Sequence, residues 1–521
     1  MPGAFLIEDT LPGVVVLINQ AQVARPIQRQ PTSTFFAVGY SPWGPVNVAR
    51  VVTSFADYFR QFGGLDPNSP MGDAEYAFFN VFPGTQSWVV RVVGTGAVVG
   101  TVSLLDRGVG ANQKPTLRVD AKYPSSKVDL SVKVLAGTNA NTVKLVLSSN
   151  FLKRSETFDN FDMSATMIAQ VNQFSTLVNL TNLNSTNAFP TSLPALIGAT
   201  ALAGGTDDFP TINVGAYIGT DNGAGQRTGL QVFNDESYGD GQVAIPGITT
   251  EQAHAAIDAH CQRYHRFGLF DPPLGSQPQD MLTSRALYGT WYSALYWPWV
   301  QYTDFGGSGL IKFYPPSGFI AGACAQVDRT IGTHKAPANI QIPGALGVEV
   351  ASNGQSLTDE NTRALLNANS INVITPLRDQ GVKIYGARVM TADPRVQMVH
   401  EIRLLNLFYY SAKIGYQWAV FQVVDSQGRL FRDLVASGKA FLRPYFQAGA
   451  LYGINATSGL TTGKEEDAFS VVADSSNNPP SELAAQRVHV QWGVHISPTA
   501  EEVIVEIDNV PLIQDLSVLQ Q

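Results

Sequence analysis

A strand-like segment near each end of the chain constrains the fold more than any other feature of the sequence. Every second residue of PGVVVLINQ and of EEVIVEIDN is apolar, which is the period of a half-buried strand. The residues on these apolar faces are Val14, Val16, Ile18, Val503, Val505 and Ile507. An unpaired apolar strand promotes aggregation, so stable proteins cover such edges. The fold must therefore supply a sheet edge for each end of the chain.

Composition predicts a large protein with extensive protein contacts. A chain of 521 residues is long enough for three or four domains. Only 15% of the residues are charged, against about 25% in a typical protein, which leaves much uncharged surface. The net charge is −8 and no Lys/Arg-rich run is present, so we expect no direct nucleic acid binding.

The two cysteines, Cys261 and Cys324, are too few for a disulfide framework and are expected to be reduced and buried. The start of the sequence, MPGAFLIEDTLPG, lacks the basic and apolar regions of a secretion signal. No apolar run of about 18 residues is present, so we expect no membrane insertion. These features favour folding in a cytoplasm.

The sequence pattern predicts a mixed α/β (α+β) fold of several domains. Ser54 and Gly63 have the spacing of the cap and the stop of a short helix. Three strand patterns between 101 and 150 indicate a β-rich unit. We also expect a helix over 163–180 followed by a linker over 179–192, and a helix beginning with a capping box at Thr249 and Gln252. TINVGAYIG and YQWAVFQVV are predicted strands, and the residues around 398–412 and 431–445 are predicted helices.

A search for catalytic, metal and cofactor motifs gives only near misses. His400-Glu401 begins like a zinc-protease helix, but Leu404 stands where the second histidine is required. GLTTGKE is one residue too short for a phosphate loop. His254, Asp258 and Cys261 share a helix face. Residues placed in this way pack against a neighbouring element more often than they bind a metal. We therefore expect no enzyme, no cofactor and no metal.

Three stretches of the chain together resemble the tail sheath proteins of contractile bacteriophages and related injection systems. The first runs from PGVVV through AVGYSPWGPVN to RQFGG, the second is SGFIAGACAQVDRTIGTHKAPAN, and the third combines LLNANSINVI, GVKIYGARVM and the HEIRLL helix with QWAVF. Thr333, His334 and Ile402 depart from the usual residues of that family. The positions that match its motifs are Gly39, Gly44, Pro45, Asp328, Lys335, Pro337, Asn339, Asn372, Gly386, Arg388, Arg403 and Trp418.

The resemblance implies a structural subunit with a discontinuous α/β assembly core. We expect this core at 22–97 plus 346–499, with an inserted β-rich outer domain at 98–204 and an inserted α/β domain at 205–345. Residues 1–21 and 500–521 are expected to be extended arms that add strands to a sheet in a neighbouring copy.

The resemblance also implies partners and a mechanism. Copies are expected to form homo-hexameric rings stacked into a helical sheath, with a tail tube protein, a baseplate and a tail terminator as partners. Contraction would drive the tube through a host envelope, and the subunit would be found in the virion tail and, during assembly, in the host cytoplasm. The sheath of a non-replicating injection system, such as a tailocin, is the alternative. An α/β enzyme with an appended β domain is a more remote one.

Overall fold

The computed structural model describes residues 25–223, 225–349, 359–455 and 457–505. The strands are β1 Thr34–Tyr40, β2 Arg50–Val52, β3 Ser87–Val92, β4 Thr101–Leu105, β5 Pro115–Ala121, β6 Leu130–Ala136, β7 Val143–Ser149, β8 Arg154–Phe161, β9 Val178–Asn182, β10 Ile197–Ala201, β11 Gly241–Ala244, β12 Phe267–Phe270, β13 Ser293–Trp297, β14 Val300–Thr303, β15 Ile311–Tyr314, β16 Ile340–Gln341, β17 Gly347–Val348, β18 Ile371–Leu377, β19 Gly381–Ile384, β20 Phe469–Val472 and β21 Gln491–Val494. The α-helices are α1 Phe55–Phe62, α2 Pro70–Tyr76, α3 Ala165–Phe174, α4 Val214–Ile218, α5 Glu251–Tyr264, α6 Pro278–Arg285, α7 Pro316–Thr330, α8 Glu360–Ala368, α9 Val399–Gly415, α10 Arg429–Gln447 and α11 Pro480–Ala484.

The chain divides into two compact units. The large unit comprises Arg29–Tyr410 and Pro498–Gln521, and the small unit comprises Met1–Gln28 and Ser411–Ser497. Each unit is thus built from segments that are distant in the sequence. The predicted mixed α/β fold of several domains is confirmed.

A nine-stranded sheet forms the centre of the large unit, in the order β16-β19-β18-β13-β12-β11-β1-β3-β2. Its six middle strands, from β18 to β3, run parallel. Successive residues of β1 face opposite cores: Phe35 packs with residues of α1, α2, α7 and α9, and Phe36 packs with residues of α5, α6 and α8. Because helices cover both faces, β1 is buried along its whole length, as parallel strands usually are.

This sheet changes the predicted domain division. β11, β12 and β13 come from the segment 205–345 that was predicted to be a separate inserted domain, yet they lie between β1 and β18 of the predicted core. That prediction is wrong because helix–strand alternation indicates an α/β layer without indicating which sheet the strands join. Residues 411–497 of the predicted core instead lie in the small unit.

A β-rich region of the large unit lies between 101 and 201, inside the predicted insertion at 98–204. β4, β5 and β9 form one sheet, and β10, β6, β7 and β8 form a second. Inward-facing residues of both sheets, such as Leu117 and Leu145, share one core. The predicted helix over 163–180 ends at Phe174, and the predicted linker that follows it begins inside β9.

Several local predictions are confirmed and others are wrong. Ser54 caps α1 by accepting a hydrogen bond from the backbone N–H of Asp57, and Gly63 ends that helix. The cap of α5 is Thr250 rather than Thr249. TINVGAYIG contains the helix α4, and YQWAVFQVV forms a 3-10 turn over Gln417–Ala419 followed by exposed chain. In both segments, apolar residues alone did not distinguish a strand from a helix or turn.

Candidate assembly site

A two-stranded antiparallel sheet in the small unit is the first part of the candidate assembly site. In this sheet Phe469 of β20 lies opposite Val494 of β21, and Val471 lies opposite Trp492. It holds only these two strands in the part of the chain that the structure describes, so each is an edge strand. Two strands alone are marginally stable in water, and sheets of three or more are preferred. Among the described residues neither strand has a second ladder partner, while residues 495–497, just after β21, pair with residues 450–452.

The helix α10 supports one face of this sheet. A Cβ atom at Gly438 would come within 2.6 Å of the Tyr416 hydroxyl oxygen and 3.0 Å of Val471 Cγ1, so glycine permits this close approach. The Tyr416 hydroxyl donates to the backbone carbonyl of Leu434 and accepts from Trp492 Nε1 at 3.1 Å. This packing fixes α10 against β20 and β21.

The C-terminal segment exposes apolar side chains. Val503, Ile504 and Val505 are 79%, 78% and 73% exposed, and residues 500–505 form no strand. A run of three large exposed aliphatic side chains is typical of an interaction segment. The remaining predicted donor residues lie outside the described residues; they are Val14, Val16, Ile18 and Ile507.

The N-terminal anchor is a buried cluster around Thr32 in the large unit. Arg403 Nη2 donates to Asp328 Oδ2 at 2.6 Å, and the Thr32 hydroxyl donates to the same oxygen at 2.7 Å. The carbonyl of Thr32 accepts from Gln242 Nε2 at 2.9 Å. The side chains of Arg403 and Asp328 are only 1% and 5% exposed, so neither charge is solvated by bulk water. The large unit begins at Arg29, and Thr32, three residues later, fixes the chain to the rest of that unit.

A second carboxyl group, that of Asp240, lies close enough to Arg403 and Asp328 for their charges to affect its pKa. Burial raises the pKa of Asp240 well above its usual range, the charge of Arg403 opposes that shift, and the charge of Asp328 adds to it. Burial lowers the pKa of Arg403, but the charge of Asp328, the largest of several opposing effects, combines with the others to outweigh burial, and the net pKa is raised. Asp328 is therefore the hydrogen-bonded partner of Arg403, whereas burial disfavours the charged form of Asp240.

The C-terminal anchor is an ion pair between Arg388 and Glu501 in the large unit. Arg388 Nε donates to Glu501 Oε1 at 2.9 Å, and Nη2 donates to Oε2. The hydrogen bonds to Glu501 raise the pKa of Arg388. The two side chains are 28% and 31% exposed, in contrast to the buried pair at the N-terminal anchor.

The backbone of Arg388 is held by Asn372, which is fully buried. Asn372 Oδ1 accepts from the backbone N–H of Arg388 at 2.6 Å, and Nδ2 donates to its carbonyl at 2.8 Å. A Cβ atom at Gly386 would lie 2.9 Å from Asn372 Cα, so a side chain there would displace this contact. Three residues that the sequence singled out separately thus act together at one anchor.

The residues considered for metal binding have structural partners. His254 stacks on the ring of Phe270 with centroids 4.3 Å apart, and its Nδ1 lies 2.9 Å from the Tyr288 hydroxyl. Asp258 accepts hydrogen bonds from Thr290 and Ser293. Cys261 and Cys324 are both unpaired and buried, as predicted. No cluster of potential metal ligands occurs among the residues described, and no helix among them is long and apolar enough to cross a membrane.

Comparison with known proteins supports the resemblance to tail sheath proteins. Residues 230–390, which include β11 to β19, match the family model described as "Phage tail sheath protein central domain". The predicted resemblance to tail sheath proteins is confirmed. It is 28% identical over 303 residues to a putative prophage major tail sheath protein of Pseudomonas aeruginosa (strain UCBPP-PA14), covering 56% of this chain and 72% of that relative. It is 24% identical over 238 residues to the tail sheath protein of Escherichia phage P2, covering 43% of this chain and 59% of the phage protein.

Solved structures show the same fold at low sequence identity. The chain matches the PVC sheath complex of an extracellular contractile injection system in the contracted state, with a TM-score of 0.55 and 16% identity. That match covers 98% of this chain and 99% of the other. Similarity at this level establishes the fold.

The other predicted motif residues occupy β1 and three loops or turns. Gly44 follows β1 and its carbonyl accepts from Arg91 Nη1 at 2.8 Å, while Gly39 lies within β1 and Pro45 is buried beside Gly44. Lys335, Pro337 and Asn339 lie in the segment between α7 and β16, and Asn339 Oδ1 accepts from Lys383 Nζ. In the small unit, the Trp418 ring lies 4.2 Å from the guanidinium carbon of Arg25.

Sequence reasoning missed several residues of the two anchors. Thr32, Gln242 and Glu501 carry no motif, and their roles depend on contacts across 113 or more residues of sequence. Thr333 was noted only as a departure from the family, yet its hydroxyl lies 3.2 Å from that of Thr32. A search for polar residues flanking the two strand-like segments would have found Thr32 and Glu501, without their partners.

Proposed function

We propose that this protein is a tail sheath protein, the repeating subunit of a contractile sheath whose copies are joined by donated strands. The observation that carries the proposal is the two-stranded sheet β20–β21, which has an edge for each of two further strands. Residues 1–21 and 500–521 supply the two candidate donors, of which Val503–Val505 are exposed apolar chain. Each copy then offers two donors and two acceptor edges, so the numbers balance in a polymer of identical subunits.

Strand addition suits such an assembly because backbone hydrogen bonds provide the binding and alternate side chains provide the fit. Ordering a flexible arm offsets much of the gain from one contact, so a single arm binds weakly. Two arms per subunit make the later contacts effectively intramolecular, which favours growth on an existing ring over free association. We therefore propose templated polymerisation in stacked hexameric rings.

Contraction follows from the same arrangement. Copies linked by donated strands can keep those strands paired while their bodies rotate and form new contacts. The sheath would assemble in an extended state of higher free energy and shorten without nucleotide hydrolysis. The match to a PVC sheath complex in the contracted state supports this proposal.

The proposed partners are a second copy of the chain, a tail tube protein, a baseplate and a tail terminator. The site of action is the virion tail after assembly in the host cytoplasm, where the sheath drives the tube through a host envelope. The P2 relative is a phage tail sheath protein and the PVC relative belongs to an extracellular contractile injection system, so the phage and tailocin alternatives both keep the same subunit function. The β-rich region at 101–201 is proposed to face outward.

Aspartate substitutions in the C-terminal segment test strand donation. Val503→Asp combined with Val505→Asp charges the face predicted to contact the acceptor, and Ile504→Asp charges the opposite face. All three positions are more than 70% exposed in the subunit, so the variants are expected to fold. Electron microscopy of the purified protein should show long tubes for wild type, fewer or shorter tubes for Ile504→Asp, and none for the double variant.

Removal of Ala500–Gln521 provides a second test. The truncated subunit should keep a cooperative unfolding transition and fail to build long sheaths. Tubes of normal length from either the truncation or the double aspartate variant would contradict strand donation.

A further inference from the structure

We propose that Arg388 is a positioning residue for the C-terminal arm: its ion pair with Glu501 fixes the point from which the donated strand leaves the body. This inference rests on the proposed function. Arg388 and Glu501 are separated by 113 residues, so their pairing fastens the end of the described chain to the body of the large unit. The guanidinium contacts both carboxylate oxygens, which defines a direction as well as a position.

The body side of this anchor is rigid. Asn372 lies in β18 and accepts from and donates to the backbone of Arg388, while Nδ2 also donates to the carbonyl of Leu295 in β13 at 3.2 Å. Two strands of the nine-stranded sheet therefore hold the backbone that carries the guanidinium. A flexible surface arginine would lose more entropy on pairing than one whose backbone is already fixed.

The arm side changes abruptly at Glu501. Thr499 Oγ1 lies 3.4 Å from His400 Nε2, whereas Glu502, Val503, Ile504 and Val505 are all exposed. With the anchor intact, the connector before the donor residue Val503 begins after Glu501. Without the anchor it begins after Thr499 and is two residues longer. Effective concentration falls as roughly the −3/2 power of connector length, which predicts a decrease of about twofold or more before any loss of direction is counted.

The anchor is also accessible to solvent ions. Arg388 lines a cavity of about 350 Å³ together with Arg285, Asn369 and Gln397. Asp393, which lies near the cavity wall at Thr391 and Ala392, is paired with Arg395. Glu501 is therefore the carboxylate that pairs with Arg388 among the described residues. Screening by salt should weaken this pair and release the base of the arm.

A charge-swap series tests the inference. The variants are Arg388→Glu, Glu501→Arg and the combination of both, and Arg395→Glu breaks the exposed Arg395–Asp393 pair as a matched control. Each single swap at the anchor should raise the critical concentration for tube formation at least about twofold, measured by sedimentation at low salt. The double swap should restore most of the wild-type value, and Arg395→Glu should leave it unchanged.

A second readout uses the unassembled subunit. A nitroxide on Val505→Cys reports motion of the arm base, because the natural Cys261 and Cys324 are buried and react slowly. Arg388→Glu should increase label mobility, and the double swap should reverse the increase. Unchanged mobility in the single swaps, or failure of the double swap to reverse it, would overturn the inference while leaving strand donation intact. If the labelled arm responds but truncation of Ala500–Gln521 still gives normal tubes, strand donation fails and the anchor has another role.

Discussion

The N-terminal and C-terminal anchors each use an arginine and a carboxylate, but the surroundings of the two pairs differ. Arg403 and Asp328 are buried, and the Thr32 hydroxyl adds a further hydrogen bond to the carboxylate. The side chains of Arg388 and Glu501 are about 30% exposed and contact solvent. A buried ion pair is costly to break, whereas an exposed one exchanges readily with water and salt. The first pair therefore acts as part of the fold, and the second can open while the subunit stays folded.

The largest expected effect is at Asp328. Asp328→Ala leaves the Arg403 guanidinium buried without its counter-charge, which should lower the free energy of unfolding by about 3 to 5 kcal/mol. Urea denaturation of the unassembled subunit measures this loss. Asp240→Asn is the matched control, since the amide keeps the shape of a side chain whose charged form burial disfavours, and it should lower stability far less. Equal losses in the two variants would show that Arg403 does not distinguish the two carboxyl groups.

Asp240 also predicts a pH dependence. Its raised pKa means that, between its ordinary value near 4 and its folded value, the folded state holds a proton that the unfolded state has released. Stability from this group therefore falls as pH rises through that window, by up to about 1.4 kcal/mol per pH unit. As pH rises above about 4, the free energy of unfolding should fall more steeply in wild type than in Asp240→Asn. Parallel pH profiles would contradict a raised pKa of Asp240.

A smaller effect is expected at Thr32. Thr32→Val keeps the shape of the side chain but removes the hydroxyl that donates to Asp328 Oδ2. Hydrogen bonds to charged groups contribute about 1.5 to 3 kcal/mol, so stability should fall within that range. Thr330→Val, which removes an exposed hydroxyl bonded within α7, should change stability by less than about 0.5 kcal/mol. Matching values for both variants would exclude Thr32 from the anchor.

The smallest effect on stability is expected at Arg388. Arg388→Ala should lower the free energy of unfolding by about 1 kcal/mol or less, and the difference from wild type should vanish near 1 M salt. The loss caused by Asp328→Ala should persist at that salt concentration because the pair is shielded from solvent. Thermal unfolding at 0.05 and 1 M NaCl separates the two. A salt-independent loss at Arg388 would place it in the rigid core and remove the contrast between the anchors.

Local sequence patterns predicted the elements that local chemistry determines. The cap at Ser54, the stop at Gly63 and the strands β5 to β7 follow from residue types within a few positions, so their prediction was accurate. The exposed segment after Trp418 was predicted to be a strand because its apolar residues suggest burial, whereas Phe421 is fully exposed in the subunit. Exposure of such a segment agrees with the proposed assembly of copies.

The anchors were predictable in part. Asp328, Asn372, Gly386, Arg388 and Arg403 were singled out through the family resemblance, but not which of them meet. Asn372 lies 16 residues from Arg388 and Asp328 lies 75 residues from Arg403, and only the arrangement of the nine-stranded sheet and its helices brings each pair together. The same long-range pairing explains the misplaced boundary at 205–345, since strand order is not encoded in any local pattern.

The acceptor sheet β20–β21 and the C-terminal arm occupy separate parts of the sequence, which has a consequence for damaged copies. Under the proposed strand donation, a molecule clipped before Ala500 would keep its acceptor edges and could still be recruited, yet it would offer no strand at that end to the next copy. We expect a small fraction of clipped molecules to stop elongation early. Proteolysis of a few copies would then shorten the particles much more than the fraction of clipped copies suggests.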